Sequence, residues 1–233
     1  MESSPRSKPW TAERIVHELM ALWFGSVHVV TTNLCFAIHD LCLHPEYVSA
    51  LRKELDNGAW QDFERTGKGL PLLDSFLKES GRTTPTESMS SRRMALRPFT
   101  LSDGTHLNVG DWLCTPLRAM SRDERLYERA TEFHGFRHVE PGLLEQLEQG
   151  FEHFGKSSSF TETKDSQMWG TGRMACPGRF YAGAVMKTVM ATFVSKFDME
   201  LASPDARRYF AWRSFIYPLP TTNVVIKPRA IAV

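Results

Sequence analysis

The strongest indication of the fold is the segment Trp169-Gly170-Thr171-Gly172-Arg173-Met174-Ala175-Cys176-Pro177-Gly178-Arg179-Phe180. It is a glycine-rich loop that leads into a helix, because Pro177 suits a first helical turn and the residues after Phe180 are mainly apolar. Cys176 therefore lies beside unpaired backbone N–H groups at the positive end of a helix dipole. That environment favours a thiolate, the form of cysteine that binds a metal. The stretch predicts that Cys176 is a metal ligand.

The cysteines of the chain leave a second interpretation of this loop open. An isolated cysteine is more often a half-buried structural residue, but the glycine spacing and the helix start favour the metal ligand. The other three cysteines, Cys35, Cys42 and Cys114, have neither paired CxxC spacing nor the density of a disulfide scaffold. We therefore predict no disulfide, and a reducing compartment or a cytosol-facing domain.

Composition and charge narrow the class of protein. The chain has 233 residues, of which 42% are hydrophobic, enough for the core of one large domain or two small ones. Its 28 basic and 27 acidic residues give a net charge of +1, so nothing in the charge balance indicates a nucleic-acid partner. Residues 1–10 are predicted to be a disordered leader, and residues 11–233 to form the folded domain.

Helical periodicity and strand patterns predict a mainly α fold with small β-sheets. Apolar residues recur at helical spacing after Thr11, which suits an N-cap, and no proline interrupts them before Pro45. The predicted helices cover residues 11–43, 45–55, 71–82 and the segment from the cysteine loop to about residue 196. The predicted strands cover residues 93–100, 106–108 and 112–116, with further strands and a turn in 212–225.

The cysteine stretch resembles the heme-binding loop of cytochrome P450 monooxygenases, whose pattern is Phe-Gly-x-Gly-x-Arg/His-x-Cys-x-Gly. Gly170, Gly172, Cys176 and Gly178 fall in register, and Trp169 stands where the family has phenylalanine. The resemblance implies that these residues hold a heme b, with Cys176 as the thiolate ligand of the iron. It also implies the C-terminal half of the P450 fold: the long I helix, the K helix, the meander, the cysteine loop and the L helix.

The basic residues around the implied heme depart from the family pattern. Met174 occupies the position where the family places arginine or histidine against a heme propionate. Arg173 is one residue early, so the contact is either lost or made by Arg173. The resemblance implies a second propionate contact from Arg93, at the start of the first strand after the K helix. Without the resemblance, Arg92 and Arg93 are more simply a solvated strand edge.

Glu79 and Arg82 lie three residues apart on the predicted helix 71–82, so their side chains are neighbours. Alone, this spacing is weak evidence, because exposed pairs of this type are common and contribute well under ~1 kcal/mol. The helix resembles the K helix of the P450 family, and Phe133-His134-Gly135-Phe136-Arg137 resembles its meander. The resemblance implies that Glu79, Arg82 and Arg137 form a triad that assembles the heme pocket and takes no part in catalysis.

The long helix resembles the I helix, which crosses the distal face of the heme. The segment Gly25-Ser26-Val27-His28-Val29-Val30 aligns with the family pattern Ala/Gly-Gly-x-acid-Thr-Thr, so His28 replaces the acid and Val29 the usual threonine. Because valine has no hydroxyl, the resemblance implies that His28, Thr31 and Thr32 are the catalytic groups. A satisfied core histidine and helix-face threonines are the simpler alternative.

The resemblance is to P450s of fungal secondary metabolism. It implies a heme-thiolate monooxygenase that oxidises a lipophilic small molecule, a terpenoid or a polyketide, with electrons from NADPH through NADPH-cytochrome P450 reductase. Two alternatives remain: a heme-thiolate isomerase or dehydratase that does not activate dioxygen, favoured by Val29, and a non-catalytic truncated remnant. Full-length relatives are expected at the cytosolic face of the endoplasmic reticulum membrane. No run of ~18 consecutive apolar residues occurs here, so we expect this truncated chain to lack the anchor and to be cytoplasmic.

Overall fold

A computed structural model describes residues 10–154, 157–164 and 166–229. The predicted leader therefore lies outside the described residues, except for Trp10. The helices are α1 (Ala12–Leu43), α2 (Val48–Glu54), α3 (Trp60–Thr66), α4 (Pro71–Thr83), α5 (Leu117–Met120), α6 (Pro141–Leu144) and α7 (Arg179–Lys196). The strands are β1 (Ser90–Met94), β2 (Phe99–Thr100), β3 (His106–Leu107), β4 (Trp112–Thr115), β5 (Phe197–Leu201), β6 (Tyr209–Trp212), β7 (Phe215–Pro218) and β8 (Val224–Pro228).

Helix α1 is packed along its second half only. It begins where the Thr11 hydroxyl accepts a hydrogen bond from the Arg14 backbone N–H, and it ends before Pro45. Phe36 and Leu41 are buried in the core, whereas Trp23 in the first half is 71% exposed. By length and composition α1 is able to cross a membrane, a test that core helices of soluble proteins and signal sequences also pass. An unbroken apolar run does not predict this membrane-spanning length, because polar residues interrupt the helix.

Helix α4 lies at the centre of the hydrophobic core. Leu73, Phe76 and Leu77 on its buried side belong to one cluster with residues of α1, α2 and α7. Ser80 on α4 donates a hydrogen bond of 2.6 Å to the buried carboxylate of Asp40 on α1, which also accepts one from Arg208. These bonds fix α1 against α4, since the polar groups are buried with their partners.

The predicted helix over residues 45–55 is longer and more divided in the structure. A 3₁₀ turn covers Pro45–Tyr47, α2 follows, and a π turn over Leu55–Ala59 leads into α3. The π turn accommodates Gly58, whose φ is +82°, and α3 ends at Gly67, whose φ is +69°. Glycine adopts these left-handed conformations without steric strain, so the helical segment continues past its predicted end at residue 55 and stops at Gly67.

The small sheets are antiparallel pairs. Within the described ranges, β1 pairs with β4, β2 with β3, β5 with β8, and β6 with β7. The single strand predicted over residues 93–100 is divided, because Ala95 leaves the ladder to bond with Asp111 and Gly110. Strand β5 was not predicted, since it continues directly from α7 without a turn signal.

Candidate functional site

The cysteine loop is closed by its own backbone. The Cys176 N–H donates to the Trp169 carbonyl oxygen over 2.7 Å, and a 3₁₀ turn over Gly172–Met174 fills the space between them. Gly170 and Gly172 have φ values of +74° and +60°, which residues with a Cβ rarely adopt. The glycine spacing noted in the sequence therefore shapes the loop, and it sets Cys176 immediately before α7.

Trp169 anchors the start of the loop to the core. Its indole N–H donates to the Phe160 carbonyl oxygen over 2.6 Å, and the two rings meet edge to face with centroids 5.2 Å apart. Phe160 is only 1% exposed. The indole at the family's phenylalanine position therefore packs against a buried aromatic ring, and it also donates a hydrogen bond.

A cavity of about 600 Å³ lies between the cysteine loop and α1. Such a volume is in the range of small-molecule and cofactor sites. The cavity is lined by Ala21, Leu22, Gly25, Ser26, Val29, Val30, Asn33, Pro85, Thr86, Glu87, Leu117, Met168, Trp169, Cys176, Pro177, Gly178, Tyr181, Ala182 and Met186. Most of these side chains are apolar, and Cys176 supplies a thiol to the wall.

The residues of this cavity fit a heme. Cys176 offers one soft sulfur ligand, which suits heme iron with a single protein thiolate. On α1, a Cβ added to Gly25 would have nothing within 4 Å, so the helix leaves open space beside the cavity. The apolar walls match the apolar body of a porphyrin.

The arginines expected at the propionates lie away from the cavity wall. Arg93 is exposed, and its guanidinium donates to the Arg92 carbonyl oxygen. Arg173 is also exposed, as is Met174 with 65% of its surface. Strand β1 does reach the loop, since the Ser90 hydroxyl donates to the Gln167 carbonyl oxygen over 3.1 Å. Contacts of Arg93 and Arg173 with a propionate therefore stay a prediction.

His28, Thr31 and Thr32 are not among the residues of α1 that line the cavity. His28 is exposed with its ring 5.0 Å from that of Phe24, and Thr31 is exposed. Thr32 is half-buried.

The cavity face of α1 repeats every fourth residue, through Gly25, Val29 and Asn33. Val29, which replaces the family's threonine in the alignment, therefore lies in the cavity wall. Its side chain has no polar atom. Asn33 was missed by the sequence analysis. The signal that could have identified it is its i+4 spacing from Val29 and i+8 spacing from Gly25.

Helix α4 and residues 128–137, which follow α5, bring together Glu79, Arg82 and Arg137. Both Glu79 carboxylate oxygens accept 2.7 Å bonds from Arg82, and Arg137 Nε lies 3.0 and 3.1 Å from the same two oxygens. The His134 backbone N–H adds a bond of 2.9 Å. None of the three side chains is more than 4% exposed. One carboxylate therefore joins two buried guanidinium groups.

Electrostatics keep this carboxylate charged. Burial opposes its ionisation, but the hydrogen bonds and charges of Arg82 and Arg137 outweigh burial and hold the pKa of Glu79 below its usual value. His138 lies beside it with Nε2 3.8 Å from a Glu79 oxygen. Burial, with the charge of Lys78, lowers the pKa of His138 to about 3, so this imidazole is neutral at physiological pH.

Arg82 and Arg137 also hold the loop that leads to the cysteine stretch. Arg82 donates to the carbonyl oxygens of Ala130 (2.7 Å) and Glu132 (2.9 Å). Arg137 donates to the carbonyl oxygens of Glu128 and Arg129. The cluster therefore holds the irregular segment of residues 128–137 against α4. This role is structural.

Comparison with known proteins gives consistent matches. The family model described as Cytochrome P450 matches residues 1–222. Cytochrome P450 monooxygenase AN1598 of Emericella nidulans is 30% identical over 227 residues, covering 94% of this chain and 41% of the relative. Cytochrome P450 monooxygenase ORF5 of Penicillium roqueforti is 34% identical, covering 90% of this chain and 39% of the relative. An ent-kaurene oxidase of Gibberella intermedia is 31% identical, covering 94% and 42%.

The same likeness is found among solved structures. A crystal structure of a cytochrome P450 (CYP102L1) superposes with a TM-score of 0.73 and 19% identity, over 96% of this chain and 47% of that chain. At this identity the likeness concerns the fold. The chain spans about 40% of the length of the curated relatives it matches.

Proposed function

Because the chain belongs to the cytochrome P450 family, we propose that it is the heme-thiolate part of a monooxygenase that oxidises a lipophilic small molecule. The observation that carries the proposal is Cys176 in the wall of an apolar cavity, across from the open side of Gly25 on α1. The likeness of the fold to a solved cytochrome P450, over 96% of this chain and 47% of that chain, supports the proposal.

In this proposal each part of the loop has a separate task. Cys176 would hold the heme iron through its thiolate, while Trp169, Gly170, Gly172 and Gly178 shape the loop that places it just before α7. When bound, the heme supplies one-electron and dioxygen chemistry, which a thiolate ligand promotes. The chain's own residues contribute the ligand, the apolar walls and the exclusion of water.

The buried cluster around Glu79 supports the loop from behind. It ties the residue 128–137 segment to α4, and Met168 of the cysteine loop packs against α4 at Gly81. We assign Glu79, Arg82 and Arg137 a role in assembling the pocket. Arg93 and Arg173 are the candidates for propionate contacts in the complete protein.

The partners and substrates belong to the full-length protein. Members of the family take electrons from a redox partner, and we propose NADPH-cytochrome P450 reductase for this one. We propose a secondary metabolite as substrate, a terpenoid or a polyketide, and the relative named an ent-kaurene oxidase favours the terpenoid. The apolar cavity agrees with a lipophilic molecule. For the full-length protein we propose the cytosolic face of the endoplasmic reticulum membrane.

One observation favours a second candidate, a heme-thiolate isomerase or dehydratase. Val29 lines the cavity where the family's threonine is expected and has no hydroxyl to donate a hydrogen bond or a proton. An enzyme that rearranges an already oxygenated substrate does not need that group. The two candidates differ in whether dioxygen and NADPH are consumed.

The test is a reaction of the heme-loaded protein with reductase, NADPH, isotope-labelled dioxygen and a panel of lipophilic substrates. A monooxygenase transfers one labelled oxygen atom into the product and consumes NADPH in step with it. An unlabelled product formed without NADPH contradicts the monooxygenase and supports the isomerase. Cys176→Ala, which lacks the thiolate, is the control and should form neither product.

A further inference from the structure

The cavity wall formed by α1 contains a buried polar side chain that the proposed function does not yet use. Asn33 is 7% exposed and lines the cavity one helical turn after Val29. Its Nδ2 donates a hydrogen bond to the Val29 carbonyl oxygen over 2.8 Å. Burial of a carboxamide costs free energy unless its donors and acceptor are paired. Its presence in a mainly apolar wall therefore needs a physical reason.

Helix stability does not supply that reason. In an α-helix the carbonyl oxygen of residue 29 already accepts the backbone N–H of residue 33. A side-chain bond to the same oxygen competes with the helix and slightly destabilises it. Leucine, a better helix former, would occupy position 33 at a lower cost.

The number of donors distinguishes Asn33 from the nearby hydroxyl groups of α1. A hydroxyl has a single proton; that of Ser26 is donated to the Trp23 carbonyl oxygen over 3.2 Å, and that of Thr31 to the Val27 carbonyl oxygen over 2.7 Å. A carboxamide has two N–H donors and an acceptor oxygen. Among the hydrogen bonds of the described residues, the bond to Val29 uses one of those donors.

The orientation of the Asn33 amide follows from the same bond. A carbonyl oxygen accepts and cannot donate, so the NH₂ end of the side chain lies toward Val29. The second N–H of that group is therefore close to the position at which valine replaces threonine. The cavity borders both residues.

We propose that Asn33 donates a hydrogen bond to a small molecule bound in the cavity, in place of the hydroxyl that Val29 lacks. The proposal rests on the proposed function, because it places a heme in the cavity with the small molecule between the heme and α1. It deepens that function by assigning the polar contact on α1 to Asn33 rather than to His28, Thr31 or Thr32.

The test is the infrared C–O stretching band of carbon monoxide added to the reduced, heme-loaded protein. A hydrogen-bond donor beside the carbon monoxide oxygen lowers the stretching frequency, because positive charge there draws electron density into the antibonding orbital. Asn33→Leu should therefore shift the band to higher frequency. Thr31→Val, a matched change of a side chain outside the cavity wall, should leave the band where it is in the wild type.

Two further variants keep the test decisive. Adding Val29→Thr to Asn33→Leu places a hydroxyl on the same wall and should return the band toward the wild-type frequency. If Asn33→Leu does not retain heme, Asn33→Ser replaces it in the comparison. A serine at this position donates its one proton back to the Val29 carbonyl oxygen, so its band should also lie at higher frequency.

An unchanged band in Asn33→Leu, or an equal shift in Thr31→Val, would overturn the role of Asn33 while leaving the proposed function intact. Absence of a thiolate-ligated heme in the wild-type protein would instead contradict the proposed function, and the role of Asn33 with it. The two failures are therefore distinguishable in one set of spectra.

Discussion

Glu79 is the centre of a buried cluster of charges with Arg82 and Arg137. Its carboxylate is fully buried and accepts bonds from Arg82, Arg137 and the His134 backbone. The spacing of Glu79 and Arg82 on one helix is a local signal that can be read from the sequence. The contact with Arg137, 58 positions later, is not local and was expected only through resemblance to a family.

Removal of the Glu79 charge should destabilise the protein strongly. Glu79→Ala leaves Arg82 and Arg137 buried without an anion, a change that typically costs about 3–5 kcal/mol. Urea unfolding measures it. The control is Asp62→Ala, which breaks the exposed Asp62–Arg65 pair and should cost less than ~1 kcal/mol. Equal effects of the two substitutions would contradict the buried cluster.

Glu54 is a second carboxylate whose environment is set by the fold. Its two oxygens accept the backbone N–H groups of Leu72 (2.8 Å) and Leu73 (3.0 Å) at the start of α4. Burial raises the pKa of Glu54 to about 7, against the opposing effect of those two hydrogen bonds and of Lys187. The folded protein therefore retains a proton that the unfolded chain has released above its ordinary pKa of 4.5.

This proton makes stability depend on pH. Because the folded state binds more protons between pH 4.5 and about 7, the contribution of Glu54 to the free energy of unfolding falls as pH rises through that window. The full loss is on the order of 3 kcal/mol, from 1.36 kcal/mol per pKa unit. Glu54→Gln should flatten the curve of stability against pH there. Glu64→Gln, an exposed change on α3, is the control and should leave the curve as in the wild type. A wild-type curve for Glu54→Gln would contradict the raised pKa of Glu54.

The position of Asn33 in the cavity wall is a feature that helical spacing alone does not predict. Its i+4 spacing from Val29 and i+8 spacing from Gly25 are visible in the sequence, but that spacing does not show which side of α1 meets a cavity. A rotation of one residue moves a side chain from the cavity to the surface. A helix with a sharp polar–apolar boundary shows its buried face in the sequence, whereas α1 is apolar on several sides.

At the scale of elements, α4 and the segment after α5 are joined by close backbone contact at Gly135. A Cβ at Gly135 would lie 2.8 Å from Phe76 Cδ2 and 3.0 Å from Tyr47 Cε1, both in buried rings. The Gly135 carbonyl oxygen accepts a bond of 2.9 Å from the buried Ser75 hydroxyl of α4. Glycine at 135 thus permits the approach that places Arg137 beside Glu79.

Gly135→Ala should therefore destabilise the fold by overpacking, at a typical cost of about 1–3 kcal/mol. Thermal or urea unfolding reports the loss. A Cβ at Gly142 in α6 has nothing within 4 Å, so Gly142→Ala is the matched control and should be neutral or slightly stabilising. A neutral Gly135→Ala would mean that α4 and this segment are less closely packed than described.

The two halves of α1 make different contributions to stability. Phe36 is 1% exposed and meets Tyr209 edge to face with ring centroids 6.5 Å apart, whereas Trp23 is 71% exposed. Phe36→Ala should cost about 3–5 kcal/mol, the usual range for a buried phenylalanine. Trp23→Ala, made as the comparison, should change the free energy of unfolding by less than ~0.5 kcal/mol. Similar costs would show that the first half of α1 is also packed in this chain.

For the molecule as a whole, the sequence predicted the class of fold because its strongest signals are local. Helices with clear starts, such as those at Thr11 and Pro71, need only their own residues to be recognised. The pairing of β5 with β8 and of β6 with β7 depends on contacts that cannot be predicted from the residues of one short strand. The cavity likewise forms only when α1 is placed across the cysteine loop, so its lining could not be read from either element alone.

The carbon monoxide difference spectrum of the reduced protein, expressed with heme precursor, tests thiolate ligation by Cys176. If Cys176 is the thiolate ligand of a heme, the wild type gives a strongly red-shifted Soret band. Cys114→Ala, which changes an exposed cysteine on β4, keeps the band, and Cys176→Ala loses it. A red-shifted band that survives Cys176→Ala, or a wild type with an unshifted heme band, would contradict the account.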